Sequence, residues 1–211
     1  MGWFPLFVEL AGRRCVIVGG GTVALRKAEK LLPFSPEITV IAPEICDALR
    51  ALPVQCVTRE FRDDDLTGAF LAIAATDDRA LNHHIFVLCT AQNIQINAVD
   101  DAENCSFLFP ALVQEPEVTV GICTGGQSPV FAAYLRAVIE EELDTRTLET
   151  ARILTRFRPA VHRMFDTGAQ RKEAMNAILA FCLLDGDLPD DSEIAELLEK
   201  IHEHHNRNEK K

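Results

Sequence analysis

Apolar residues fall into short β-branched runs over residues 1–100 and into widely spaced stripes toward the C-terminus. Cys15-Val-Ile-Val18 is one such run; Gly19-Gly-Gly21 then turns the chain, and Val23 to Leu32 has helical spacing. Pro33 and Pro36 end that helix, and Ile38-Thr-Val-Ile41 supplies the next strand, completing a β-α-β unit. Further strand-length runs stand at Val54–Val57, Phe70–Ala75 and Ile94–Ala98, the last preceded by a helical stretch from Asp78 to Gln92. Strands alternating with helices in this way predict an α/β fold with a parallel sheet covered on both faces.

After Asp100 the pattern predicts two strands, Cys105–Phe109 and Val118–Cys123, joined by a turn at Pro116. Ser128 as N-cap and Pro129 as first helical residue start a helix from Val130 to Leu143. From Thr147 onward the chain reads as helical. One stripe is Leu154, Phe157, Val161 and Met164, in a helix that Pro159 should kink or split. Met175, Ile178, Leu179 and Cys182 form the next stripe, and Ile194, Leu197, Leu198 and Ile201 the last, behind an Asp190-x-x-Glu193 capping box.

The chain has 211 residues, 48% hydrophobic and 25% charged, which is ordinary globular usage and excludes a disordered chain. No apolar run reaches the roughly eighteen residues a membrane helix needs. The N-terminus lacks a basic signal region and carries Glu9, so a cytoplasmic location is expected, with no membrane partner. Seven cysteines, spread singly, predict reduced and mostly buried thiols. The net charge of −11 argues against nucleic acid as a partner. Arg13, Arg14, Arg26, Lys27 and Lys30 nevertheless gather into one basic corner.

Gly19-x-Gly21-x-x-Ala24 follows a strand and opens a helix, the context in which a dinucleotide fingerprint has physical content. The first glycine permits the tight turn, the second lets backbone approach a pyrophosphate, and the small third residue lets helix and sheet pack closely. The helix N-terminus then offers unpaired N–H groups to the phosphates. An acidic partner for the ribose is expected about twenty residues on. Glu44, in Ile41-Ala-Pro43-Glu44, falls there and favours NAD over NADP.

Five ordered blocks together resemble the precorrin-2 dehydrogenase and sirohydrochlorin ferrochelatase family, which includes the N-terminal module of siroheme synthases. They are Phe4-Pro-Leu-Phe7, Val16 to Ala24 with Arg26-Lys27, Ala74-Ala-Thr-Asp-Asp78, Asn97-Ala-Val-Asp-Asp101 with Ser106-Phe-Leu-Phe-Pro110, and Thr124-Gly-Gly-Gln-Ser-Pro-Val130. The resemblance implies a Rossmann-type NAD-binding domain over residues 1–112, a small dimerisation region over 113–146, a helical C-terminal domain over 147–211, and a homodimer. It implies the oxidoreductase reaction that converts precorrin-2 to sirohydrochlorin with NAD, in siroheme and porphyrin biosynthesis. In some members it extends to Fe²⁺ insertion, a lyase activity.

Carried onto this chain, the cofactor falls on Gly19, Gly20, Gly21, Thr22, Val23 and Ala24 with Pro43, Glu44 and Thr76. The family's essential aspartate aligns with Asp100, and its tetrapyrrole-side turn with Thr124, Gly125 and Gly126, where a serine often replaces Thr124. Loss of a hydride and a proton from a reduced macrocycle needs a nearby base, which a carboxylate at the C-terminal sheet edge supplies; Asp101 is the alternative to Asp100. For a polycarboxylate substrate, Ser128 and Thr124 add hydroxyls beside backbone donors, and Arg26, Lys27 and Arg136 are the cations.

No protein metal site is expected. His83 and His84 read as exposed or structural, and His202 and His205 as a solvated tail. The rival reading is a non-catalytic sensor of NAD or tetrapyrrole, which would not need the carboxylate.

Overall fold

The structure, a computed structural model, describes residues 2–208. It comprises two compact units. The first holds the described residues up to Pro110 together with Cys123–Ser128, and the second Ala111–Ile122 with the described residues from Pro129 onward. The stretch 113–146 expected as a dimerisation region is thus shared between them.

The first unit runs β1 (Arg14–Val18), α1 (Thr22–Leu31), β2 (Glu37–Ala42), α2 (Asp47–Arg50), β3 (Gln55–Thr58), β4 (Leu71–Ala74), α3 (Arg79–Gln92) and β5 (Gln95–Ala98). Its five strands are all parallel in the order β3-β2-β1-β4-β5, with Val16 of β1 level with Thr39 of β2 and Ala72 of β4. This is the Rossmann arrangement, with the chain reversing direction across the sheet between β1 and β4.

Alternation along β1 builds both layers. Cys15 and Ile17 face a core with Ala24, Ala28 and Leu31 of α1, while Val16 and Val18 face another with Ile85 and Cys89 of α3. Strands buried on both faces have no polar side to show, which is why β4 is buried at every position. Burial holds the Cys15 and Cys89 thiols up at about 11, so both are inert. Of the seven cysteines, Cys15, Cys89 and Cys182 are buried, Cys46, Cys56 and Cys105 half-buried and Cys123 exposed; none forms a disulfide.

The strand expected at Cys105–Phe109 does not form. That segment makes one bridge, Asn97 to Cys105, and is otherwise tied to β5 partly through side chains: Ser106 Oγ accepts the Ile96 N–H at 2.8 Å, and Asn97 Nδ2 donates to the Phe107 carbonyl at 3.1 Å. Phe107 and Phe109 pack on the α1 side of the sheet, so their alternation imitates a strand.

In the second unit β6 (Ala111–Gln114) and β7 (Thr119–Ile122) form an antiparallel pair against α4 (Pro129–Glu142). Three helices follow, α5 (Thr145–Met164), α6 (Gly168–Cys182) and α7 (Asp191–Asn208). Their core holds Ile153, Val161, Phe165, Ile178, Ile194 and Leu198. Pro159 does not split α5, which runs as one 20-residue helix. Ile153 and Val161, buried in the same core on either side of the proline, hold the helix together where one backbone hydrogen bond is missing. Asp190 and Glu193 form the expected capping box: Asp190 Oδ1 accepts the Glu193 N–H at 3.0 Å, and Glu193 Oε2 accepts the Asp190 N–H at 2.9 Å.

Candidate dinucleotide and substrate site

The turn from β1 to α1 is built by close backbone approach. Gly19 has φ +124°, and a Cβ there would overlap the Ala75 carbonyl at the end of β4. A Cβ on Gly20 would overlap the Glu44 carbonyl arriving from β2. Gly21 is different, because a Cβ there would enter open space. Gly19 and Gly20 therefore make the turn possible, and Gly21 leaves its outer side bare. Ala24 is fully buried, as close helix–sheet packing requires.

Gly21 caps α1 without any side-chain hydrogen bond, so among the described residues no side chain caps the N–H groups at the helix start. With the positive end of the helix dipole this is a fit for a pyrophosphate. Pro43 and Glu44 are exposed just beyond β2. Thr76, just beyond β4, is held by Asn82: Thr76 Oγ1 donates to Asn82 Oδ1 at 2.7 Å, and Asn82 Nδ2 donates to the Thr76 carbonyl at 2.9 Å. Asn82 is buried, and its hold on Thr76 was not legible in the sequence, where it is one polar position in a helix.

Asp100 and Asp101 differ sharply. Asp101 caps a short turn, accepting from Asn104 Nδ2 at 2.7 Å and from the Asn104 N–H at 3.3 Å. Asp100 is exposed beyond the C-terminal end of β5, has φ +58°, and its carboxylate makes no hydrogen bond with the described residues. The left-handed backbone there is strained for a residue with a Cβ, though aspartate tolerates it better than most.

Three residues back on β5, Asn97 is buried and accepts a 3.1 Å hydrogen bond from Lys27 Nζ. Lys27 thus turns inward, its ammonium 3.9 Å from the centre of the Phe109 ring, whereas Arg26 is exposed. Burial, then Lys30, push the Lys27 amine down to about 8, against the pull of Cys105 and Asp100.

In the turn Thr124–Ser128, Gly125 and Gly126 take positive φ of +67° and +78°. Thr124 Oγ1 donates to the Ser128 carbonyl at 3.0 Å and accepts the Ser128 N–H at 3.2 Å, closing the turn on itself. Arg136 of α4 is paired with Glu140 at 2.8 Å.

His83 and His84 are exposed, facing Asn104 and Asp63. The solvated tail expected around His202 and His205 is overturned. Both rings pack edge-on against Phe165, at 5.6 and 6.2 Å, because α7 lies on the α5–α6 core. Among the described residues no group of three His, Cys, Asp or Glu could hold a metal ion, and no helix is long and apolar enough to cross a membrane.

A Rossmann sheet with a bare glycine turn and an uncapped helix start is an NAD(P)-type dinucleotide-binding domain, and the family described as NAD(P)-binding matches residues 6–111. The chain belongs to that family. It is also a homologue of siroheme synthases. It is 37% identical over 196 residues to the siroheme synthase of Photorhabdus laumondii, covering 89% of this chain and 42% of that protein. To that of Azotobacter vinelandii it is 37% identical over 207 residues, covering 94% and 44%. The chain therefore spans less than half the length of these relatives. Among solved structures, SirC, a precorrin-2 dehydrogenase, shares the fold with a TM-score of 0.70 and 20% identity, covering 95% of this chain and all of that one.

Proposed function

We propose that the protein oxidises precorrin-2 to sirohydrochlorin with NAD as hydride acceptor. The observation that carries this reading is the pairing, in one Rossmann unit, of an open glycine cradle with an unengaged carboxylate at Asp100, both at the C-terminal edge of the sheet. A sensor needs the cradle but has no use for a strained, unpaired carboxylate.

The N–H groups of Thr22, Val23 and Ala24 receive the pyrophosphate, and Gly21 lets it approach. Glu44 accepts from a ribose hydroxyl, and its charge disfavours a 2′-phosphate, hence NAD over NADP. Pro43 and Thr76 border the cofactor on either side. When bound, the nicotinamide supplies the hydride acceptor. Asp100 Oδ accepts the proton that the macrocycle releases, and its exposure leaves the carboxylate open to the substrate. Asp101, spent on its cap, is not the base. The substrate's carboxylates meet the backbone donors of Thr124 and Gly126, the Gly125 N–H being given to Cys123 Sγ at 3.4 Å, with Ser128 beside them, and Arg26 supplies an outward cation. Lys27, turned toward Asn97, is the less available of the two.

The same Asp100 oxygen suits iron insertion, in which Fe²⁺ is a substrate and pyrrole nitrogens lose protons. The working form is a homodimer, supported by the exposed apolar stripe Val130, Phe131, Tyr134 and Val138 on α4. The test is anaerobic turnover of precorrin-2 with NAD, with NADP and with neither. Sirohydrochlorin formation that requires NAD supports the reading, and binding of both ligands without turnover returns the sensor. Fe²⁺ uptake faster than a protein-free control adds the chelatase.

A further inference from the structure

Lys27 occupies a position where a lysine is an expensive choice. It stands one helical turn beyond the start of α1, half-buried, and makes no ion pair with the described residues. Ordering a four-carbon side chain and stripping water from its ammonium both oppose folding. What it gains is one hydrogen bond to Asn97 and the face of Phe109.

The orientation of Asn97 makes that hydrogen bond specific. Its amide nitrogen is occupied on the other side by the Phe107 carbonyl at 3.1 Å and Cys105 Sγ at 3.4 Å. Its Oδ1 therefore faces α1, where it needs a donor. A glutamine at position 27 would supply one, so a donor alone does not explain a charge. The titratable groups whose fields reach the Lys27 amine are Lys30 on its own helix and, from the strand exit packed against it, Asp100 and the Cys105 thiol, which burial pushes up. Asp100 is the single carboxylate among them. Lys27 thus ties the helix whose start receives the pyrophosphate to the strand whose exit carries the base.

We propose that Lys27 is a positioning residue of the dehydrogenation: through its hydrogen bond to Asn97 it fixes the exit of β5 against α1, and so the place of Asp100 three residues on. This rests on the functional reading above. Lys27 touches neither the macrocycle nor the cofactor in this role. Its effect runs through Asn97 and Asp100.

A positioning cation with an amine titrating at about 8 has a signature that a packing residue lacks. Turnover of precorrin-2 by the full chain should fall as pH rises through about 8, as Lys27 loses its proton and its charge-assisted hydrogen bond to Asn97 weakens. Lys27→Arg keeps the charge and should remove that alkaline limb up to about pH 9.5. Lys27→Met should lower kcat about tenfold or more across the range, with the KM for NAD within about threefold of wild type. Lys27→Met within about twofold of wild type in kcat overturns the proposal, as does a limb that persists unchanged in Lys27→Arg.

If the wild-type protein does not oxidise precorrin-2, the functional reading has failed, and the Lys27–Asp100 link is read directly from the lysine side-chain carbon resonances. A Lys27 titration near 8 that moves lower in Asp100→Asn supports the link. A titration that does not move in Asp100→Asn overturns it.

Discussion

The carbonyl of Glu44 fills the space that a Cβ on Gly20 would need, while the same test at Gly21, the next residue, finds nothing within 4 Å. Two adjacent glycines therefore differ: the fold requires the one, and only the proposed dinucleotide site gives a reason for the other. Gly20→Ala should lower stability by about 1–3 kcal/mol, because backbone on both sides must shift. Gly21→Ala should change stability by no more than about 1 kcal/mol, the cost of a poorer cap. It should nevertheless weaken dinucleotide binding about tenfold or more, about 1.4 kcal/mol. Thermal unfolding paired with dinucleotide titration checks both.

Asp100 and Asp101 should separate just as cleanly. Asp101→Ala loses a cap and should cost about 1 kcal/mol of stability, with turnover changing much less than in any Asp100 variant. Asp100→Gly relaxes a left-handed backbone and should raise stability by about 0.5–1 kcal/mol while removing the base. Chemical denaturation alongside an activity assay shows whether stability and turnover move in opposite directions.

The amine of Lys27 titrates at about 8 in the folded protein against the ordinary lysine value of 10.5. Between those two values the unfolded chain holds more protons than the folded one, so this group makes stability rise with pH. The Cys15 and Cys89 thiols, raised from 9.0 to about 11, act in the opposite sense over their own window. They are common to wild type and Lys27→Met and cancel in the difference between the two proteins, which reads Lys27 together with its coupling to the Cys105 thiol, a coupling of the same sign. Wild type should gain on Lys27→Met from pH 8 to about 10.5 when unfolding is followed by denaturant titration.

Val130, Phe131, Tyr134 and Val138 are exposed on one stripe of α4, and Phe131 and Tyr134 stack with ring centres 6.0 Å apart. Covering this stripe in a homodimer predicts that Phe131→Glu with Tyr134→Glu yields a monomer with an intact fold. Sedimentation velocity reads the mass directly, and an unchanged sedimentation coefficient would place the interface elsewhere.

The strand–turn–helix at Cys15–Leu31 was legible because burial on both sheet faces leaves a continuous apolar run and the glycines punctuate it. The need for glycine at position 20 was not, since it depends on where Glu44 comes to lie. Phe107 and Phe109 mislead for a related reason: they alternate like strand residues but pack on one side of a segment held to β5 partly by Ser106 and Asn97 side chains. Pro159 reads as a helix breaker until Ile153 and Val161 are seen in one core. Lys27 looks like any helix-surface cation in the sequence. Its inward turn depends on Asn97, seventy positions away.

The central claim, that Asp100 is the base of an NAD-dependent dehydrogenation, is tested most directly by single-turnover oxidation of precorrin-2 by wild type and Asp100→Asn with NAD saturating both. The account predicts a rate in Asp100→Asn lower by about a hundredfold or more, with NAD and precorrin-2 still bound. A rate near that of wild type would contradict it.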